Sequence, residues 1–111
     1  MDKTTFDKYY HNILRKAADK RREKESEYFS TKDLLGNFRR IAIFRNTNTP
    51  ITIMDLGAKS LQSISDMVNF EFGPNDALED EKFSLQQWDE KFVDAINYLI
   101  KLYASIREDI D

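Results

Sequence analysis

The sequence predicts an all-α fold: a compact bundle of about four main helices, forming one domain over residues 1–111. Three observations predict it. Apolar residues recur at three- and four-residue spacing in four separate stretches. Nothing in the chain alternates with the period of two that a half-buried strand requires. Residues suited to capping helices stand at the starts of the periodic stretches.

The first helix is predicted to start at a cap formed by Thr4 or Thr5. Phe6, Tyr10, Ile13, Leu14 and Ala17 share one face. From Asp19 to Glu27 the chain is almost wholly charged, as expected of a solvated helix end. The single histidine, His11, lies off the apolar stripe and is expected at the surface.

The second helix is predicted from Leu34 to about Arg45, capped by Asp33 or Ser30. Leu34, Leu35, Phe38, Ile41 and Ala42 face one way, and Ile43 and Phe44 point elsewhere. A short helix with two apolar sides suits a central position or a subunit contact, so the pattern predicts a homodimer. Asn37 falls beside Ile41 and Phe44, where a buried amide would tie down backbone or reach a ligand.

Thr49-Pro50 reads as a cap followed by a proline at the first helical position, opening a third helix to about Phe70. Ile53, Leu56, Leu61, Ile64, Met67 and Val68 form its core face. Gly57 interrupts that face, which suits a position where another helix crosses closely. Asp55, Lys59, Gln62 and Asp66 line the opposite side. Residues 71–83 contain the turn signal Gly73-Pro74-Asn75-Asp76 and the acids Glu79, Asp80 and Glu81, and are expected to form a long surface loop.

The last helix is predicted from Ser84 to Asp111. Ser84 and Gln87 form a capping-box pattern, with Phe83 placed as a hydrophobic staple. Trp88, Phe92, Ile96, Leu99, Tyr103 and Ile106 make its apolar face, and Glu90, Asp94, Asn97 and Lys101 its polar face. The apolar face requires a protein partner; the polar face requires water or a ligand.

Composition limits the chemistry. With no cysteine and one histidine, neither a thiolate zinc site nor a Ser–His or Cys–His nucleophile is expected. Any metal would be a hard ion such as Mg²⁺ held by carboxylates. Glu90, Asp94 and Asp66 are the candidate ligands, if the two polar stripes face each other across a groove. Lys59 with Arg39 or Arg40 would then hold phosphate. Residues 1–45 carry 12 Lys/Arg against 7 Asp/Glu, and residues 46–111 carry 5 against 13. The basic residues are mixed with acids and lack interleaved aromatic platforms, so nucleic acid is not the expected partner. With no apolar run of membrane-spanning length and no visible signal peptide, a cytoplasmic location is expected.

Leu35-Gly36-Asn37-Phe38-Arg39-Arg40-Ile41-Ala42, the Thr-Pro helix start, Lys59 and Asp94-Ala95-Ile96-Asn97-Tyr98 together resemble a small phage and prophage family. The chain is similar over residues 28–106 to the nucleotide modification associated domain proteins, which share features with the all-alpha NTP pyrophosphatases of the MazG and dUTPase type. The resemblance implies a helical bundle that takes a nucleotide with Mg²⁺, as a nucleoside triphosphate pyrophosphohydrolase. Glu90 and Asp94 would then be catalytic and, with Asp66, bind metal. Lys59, Arg39 and Arg40 would hold phosphate, and Asn37 and Asn97 would read base or sugar. The paired E-x-x-E and E-x-x-D signatures of that superfamily are missing; Glu90 and Asp94 stand one turn apart instead. That departure leaves two alternatives to hydrolysis: a binder that sequesters a nucleotide or signalling molecule, and a module that docks on protein through Glu79–Glu81 or Lys20–Glu27.

Overall fold

Among the described residues four helices follow one another: α1 (Lys3–Glu25), α2 (Gly36–Phe44), α3 (Thr49–Phe72) and α4 (Leu85–Ile110). The computed structural model describes residues 1–25, 33–74, 78 and 81–111. Ser30, Asn75, Asp76, Glu79, Asp80 and Glu27, which figure in the expectations above, lie outside the described residues. The protein is an all-α bundle, and no described helix is long and apolar enough to cross a membrane.

Local chemistry sets each helix end. Asp2, not Thr4 or Thr5, starts α1: its Oδ1 accepts from Thr5 N at 2.8 Å. That bond to the Thr5 backbone holds the Asp2 carboxyl below its ordinary pKa. Asp33 opens α2, accepting from Leu35 N through Oδ1 and from Gly36 N through its carbonyl. The far end of α2 closes on Asn46, whose φ of 55° is left-handed. Asn46 N donates to Ile43 O and Thr47 N to Ala42 O, the paired bonds of a Schellman turn. Asparagine fills the place of the usual glycine because its short polar side chain tolerates that conformation.

Asn48, one residue before the expected Thr49, caps α3 by accepting from Ile51 N at 2.9 Å. The Ser84–Gln87 capping box of α4 forms in both directions. The staple forms too, with the Phe83 and Trp88 rings edge to face at 5.6 Å.

Packing centres on α4. It contacts α3 along one side and α1 along another, while α2 packs on α3. Gly57 is where α3 and α4 come closest: a Cβ there would stand 3.1 Å from Tyr98 Cβ. Ile53, Met67 and Ala95 are buried in this layer, and Ala17 and Val93 between α1 and α4. Beyond Phe72 the chain returns through an aromatic cluster in which Trp88 contacts Phe72, Phe83 and Phe92. Buried Glu71 locks that return, its Oε1 accepting from Phe83 N at 2.8 Å.

The two faces of α4 are used differently from their sequence pattern. The polar face packs inside the bundle: Asp94 and Asn97 meet α1, and Lys101 lies over the rings of Phe38 and Tyr98 at 5.5 and 5.9 Å. The apolar stripe is only partly covered, and Phe92, Leu99, Tyr103 and Ile106 remain exposed. On α1, Lys16 and Lys20 flank buried Ala17 and pair with Asp89 and Asp94 of α4.

Candidate functional site

A groove of about 400 Å³ runs between α1 and the first turns of α4, lined by Lys16, Lys20, Gln86, Asp89, Glu90 and Val93 among others. Lys16 and Lys20 stand one turn apart on α1, so both ammonium groups lie on the same side. Lys16 Nζ meets Asp89 Oδ2 at 2.5 Å, and Lys20 Nζ meets Asp94 Oδ1 at 3.3 Å. Both pairings advance along the two helices together, so α1 and α4 run parallel. All four side chains are part-exposed, and such ion pairs are weak enough to exchange with an incoming anion.

Glu90 lines this groove, loosely engaged by Gln86 Nε2 at 3.5 Å. Asp94 adjoins it through Lys20. Asn97 is committed elsewhere: its Nδ2 donates to the Ala17 carbonyl at 3.1 Å, pinning α1 to α4. Of the residues expected to form a site, Glu90, Asp94 and Asn97 therefore gather along the α1–α4 contact.

The others lie apart. Asp66 Oδ1 accepts from Gln62 on its own helix, and Asp55 pairs with Arg45. With 3.6 residues per turn, Asp66 and the exposed Lys59 fall on the side of α3 away from Ile53 and Gly57, which face α4. The polar stripes of α3 and α4 thus do not face one another. Among the described residues, no three carboxylate or imidazole groups gather closely enough to hold a metal ion. Glu90, Asp94 and Asp66 do not fit a shared Mg²⁺ in this arrangement.

On α2, Arg39 donates to Asp33 at 2.9 Å and to Glu108 at 2.6 Å, tying the helix start to the end of α4. Its hydrogen bond holds the Asp33 carboxyl below its ordinary pKa, and both carboxylates raise that of Arg39. Arg40 Nη2 donates to Asn37 Oδ1 at 2.6 Å. Asn37 is exposed, so the buried amide expected there is instead a surface side chain held by its neighbour one turn on. These groups brace α2 and do not converge on the groove.

Sequence reasoning missed Lys16, Lys20 and Asp89. The available signal was the pair of lysines four residues apart beside Ala17; Lys20 was read within the charged run Asp19–Glu27, and Lys16 was not singled out. Glu71 was missed because it sits in a stretch read as loop. Compared with protein-family models, curated proteins and solved structures, the chain matches none, so the functional reading rests on this geometry.

Proposed function

We propose that the protein binds a nucleotide or a nucleotide-derived small molecule in the α1–α4 groove, as a sequestering binder and not as a hydrolase. The observation that carries this reading is the convergence of Lys16 and Lys20 with Glu90 in one groove of about 400 Å³. That volume falls within the roughly 300–1,000 Å³ typical of small-molecule sites. A phosphate entering between the lysines takes over the ammonium groups from Asp89 and Asp94. Glu90 and Gln86 then face the ligand's polar edge.

Engagement of the carboxylates favours binding over turnover. Mg²⁺-dependent pyrophosphohydrolysis requires Glu90, Asp94 and Asp66 to share a cation, whereas Asp94 serves Lys20 and Asp66 serves Gln62. A thermal-shift titration with nucleoside triphosphates, with and without Mg²⁺, tests the proposal. A ligand at 100 times its Kd adds about 2.7 kcal/mol, a shift of several degrees at this size. The expected result is a shift independent of Mg²⁺ and lost in Lys16→Ala/Lys20→Ala. No shift with any nucleotide, or full affinity in that variant, overturns it. A Mg²⁺-dependent shift abolished by Asp94→Ala would restore the hydrolase.

A second reading, a protein-interaction module, is favoured by Ile43 and Phe44 on α2, which are 79% and 92% exposed. It predicts no nucleotide shift and a partner whose affinity falls on Phe44→Ser.

A further inference from the structure

The exposed stripe of α4 has a finer regularity than amphipathicity requires. Leu85, Phe92, Leu99 and Ile106 follow one another at intervals of seven. Ile96, Tyr103 and Ile110 form a second series at the same interval, each four residues after a member of the first. These are the d and a positions of a heptad repeat sustained over the length of the helix, the pattern of a helix that pairs with another helix. One seam position is charged: Asp89, which Lys16 draws towards α1.

The chain's own fold touches this seam only at its borders. Among the described residues α4 packs on α3 through Ala95, Tyr98 and Leu102, with Leu99 at the edge, and on α1 through Val93 and Asn97, with Leu85 at the mouth of the groove. The seam residues stay open: Leu85 is 73% exposed, Leu99 52% and Tyr103 61%. An unpaired seam of this kind leaves large apolar side chains partly in water, and a partner helix would supply the missing burial.

We propose that this face of α4 is a homodimer interface, in which the α4 helices of two copies pair along the heptad seam. Area argues for a partner of this size. The chain exposes 8676 Å², whereas a folded monomer of 13.1 kDa exposes about 6,400 Å². The excess, about 2,300 Å² over the whole chain, to which the open seam contributes, leaves room for the roughly 800 Å² per partner that a standard stable interface hides. The pattern argues for a second copy as that partner. The seam is almost uncharged, so it offers no electrostatic code for a different chain, and it is self-complementary under a two-fold axis. In an antiparallel pairing, Ile96 meets Leu99 of the second copy, Phe92 meets Tyr103, Leu85 meets Ile110, and Ile106 meets Asp89, whose carboxylate is turned towards Lys16. Each layer then sets one series against the other. Arg107, whose guanidinium lies over the Tyr103 ring at 5.9 Å, edges the seam with charge. The seam borders the nucleotide groove at Leu85 and Asp89, which line it, and leaves it from Phe92 onward; the pairing stands whether or not a nucleotide binds.

Light scattering after size exclusion, on the full chain at micromolar concentration, provides the test. Two copies of 13.1 kDa give about 26 kDa, the expected mass. Leu99→Glu should halve it while the circular dichroism stays helical, and Lys59→Glu, on the exposed side of α3, should leave it unchanged. If Leu99→Glu fails to fold, the cysteine-free chain permits a second route. Phe92→Cys/Tyr103→Cys should oxidise to a covalent dimer, and Lys59→Cys should not. A monomeric wild type overturns the proposal, including one that binds lipid vesicles and so shows the seam to be a membrane-surface face. A dimer that survives Leu99→Glu, or no cross-link from the cysteine pair, also overturns it.

Discussion

Glu71 shows how much one side chain can decide. It is a carboxylate in an otherwise apolar layer, and its single described bond, to Phe83 N, closes the return from α3 to α4. Glu71→Ala removes the acceptor of a part-buried N–H, which costs about 1–2 kcal/mol. Chemical denaturation should show that loss, with partial recovery in Glu71→Gln. Gly57 acts through space instead. Alanine there gains about 1 kcal/mol of helix propensity. Its Cβ, however, meets Tyr98 Cβ at 3.1 Å, an atom fixed to the α4 backbone that cannot swing aside. Overpacking of this kind costs about 1–3 kcal/mol, so Gly57→Ala should be destabilising overall. A more stable Gly57→Ala would mean that the two helices separate easily.

Lys101 carries the pH prediction at the same scale. Burial is the main cause that lowers its pKa from 10.5, with Lys24 adding repulsion. The folded state therefore binds fewer protons than the unfolded state as the pH rises towards 10.5. Stability from this group is lost at neutral pH and returns as Lys101 deprotonates in the fold. Lys101→Met should melt higher than the wild type near pH 7, and the gap should close towards pH 10. A gap that does not change with pH would put the effect down to packing alone.

At the scale of the element, the end signals of α4 are local, and both were readable. Ser84 and Gln87 satisfy each other's backbone N–H groups, and Phe83 covers Trp88. Ser84→Ala should cost about 1 kcal/mol, and Ser84→Asp close to nothing. Equal stability of all three proteins would show that the staple alone sets the start. The caps of α1 and α3 were each misplaced, by two or three residues and by one residue. Several adjacent Thr, Asn and Asp side chains can cap equally well, and backbone geometry selects among them. At Asn48 the extended φ of −114° and ψ of 168° aims the side chain at Ile51 N.

For the whole molecule, the two faces of α4 divide the work. One face is spent on holding α1, α2 and α3. The other, the heptad seam, is the face proposed to pair with a second copy. A protein stabilised through that seam melts at a temperature that rises with concentration, because association is linked to folding. Scanning calorimetry over a hundredfold concentration range should show that rise in the wild type and a constant, lower midpoint in Leu99→Glu. A midpoint independent of concentration in both proteins would leave the seam without a role in stability.

The sequence by itself determined the fold class, the four helices, the start of α4 and the close crossing at Gly57. Each of these follows from local periodicity, from side chains a few residues apart, or from the absence of one Cβ. Only the tertiary structure decided which face of α4 turns inward. Periodicity marks Trp88, Phe92, Leu99 and Tyr103 as a face that must be covered. It cannot say whether the cover comes from the same chain. In the fold Val93, Ala95 and Asn97 turn inward, Asp89 and Asp94 meet Lys16 and Lys20 at the α1 contact, and most of the apolar stripe faces away from it. Glu90 thereby stands beside the lysines, while Asp66 and Lys59 lie on the side of α3 away from α4. Ion pairing across 73 residues of chain is a relation between distant positions, and no local pattern in the sequence encodes it.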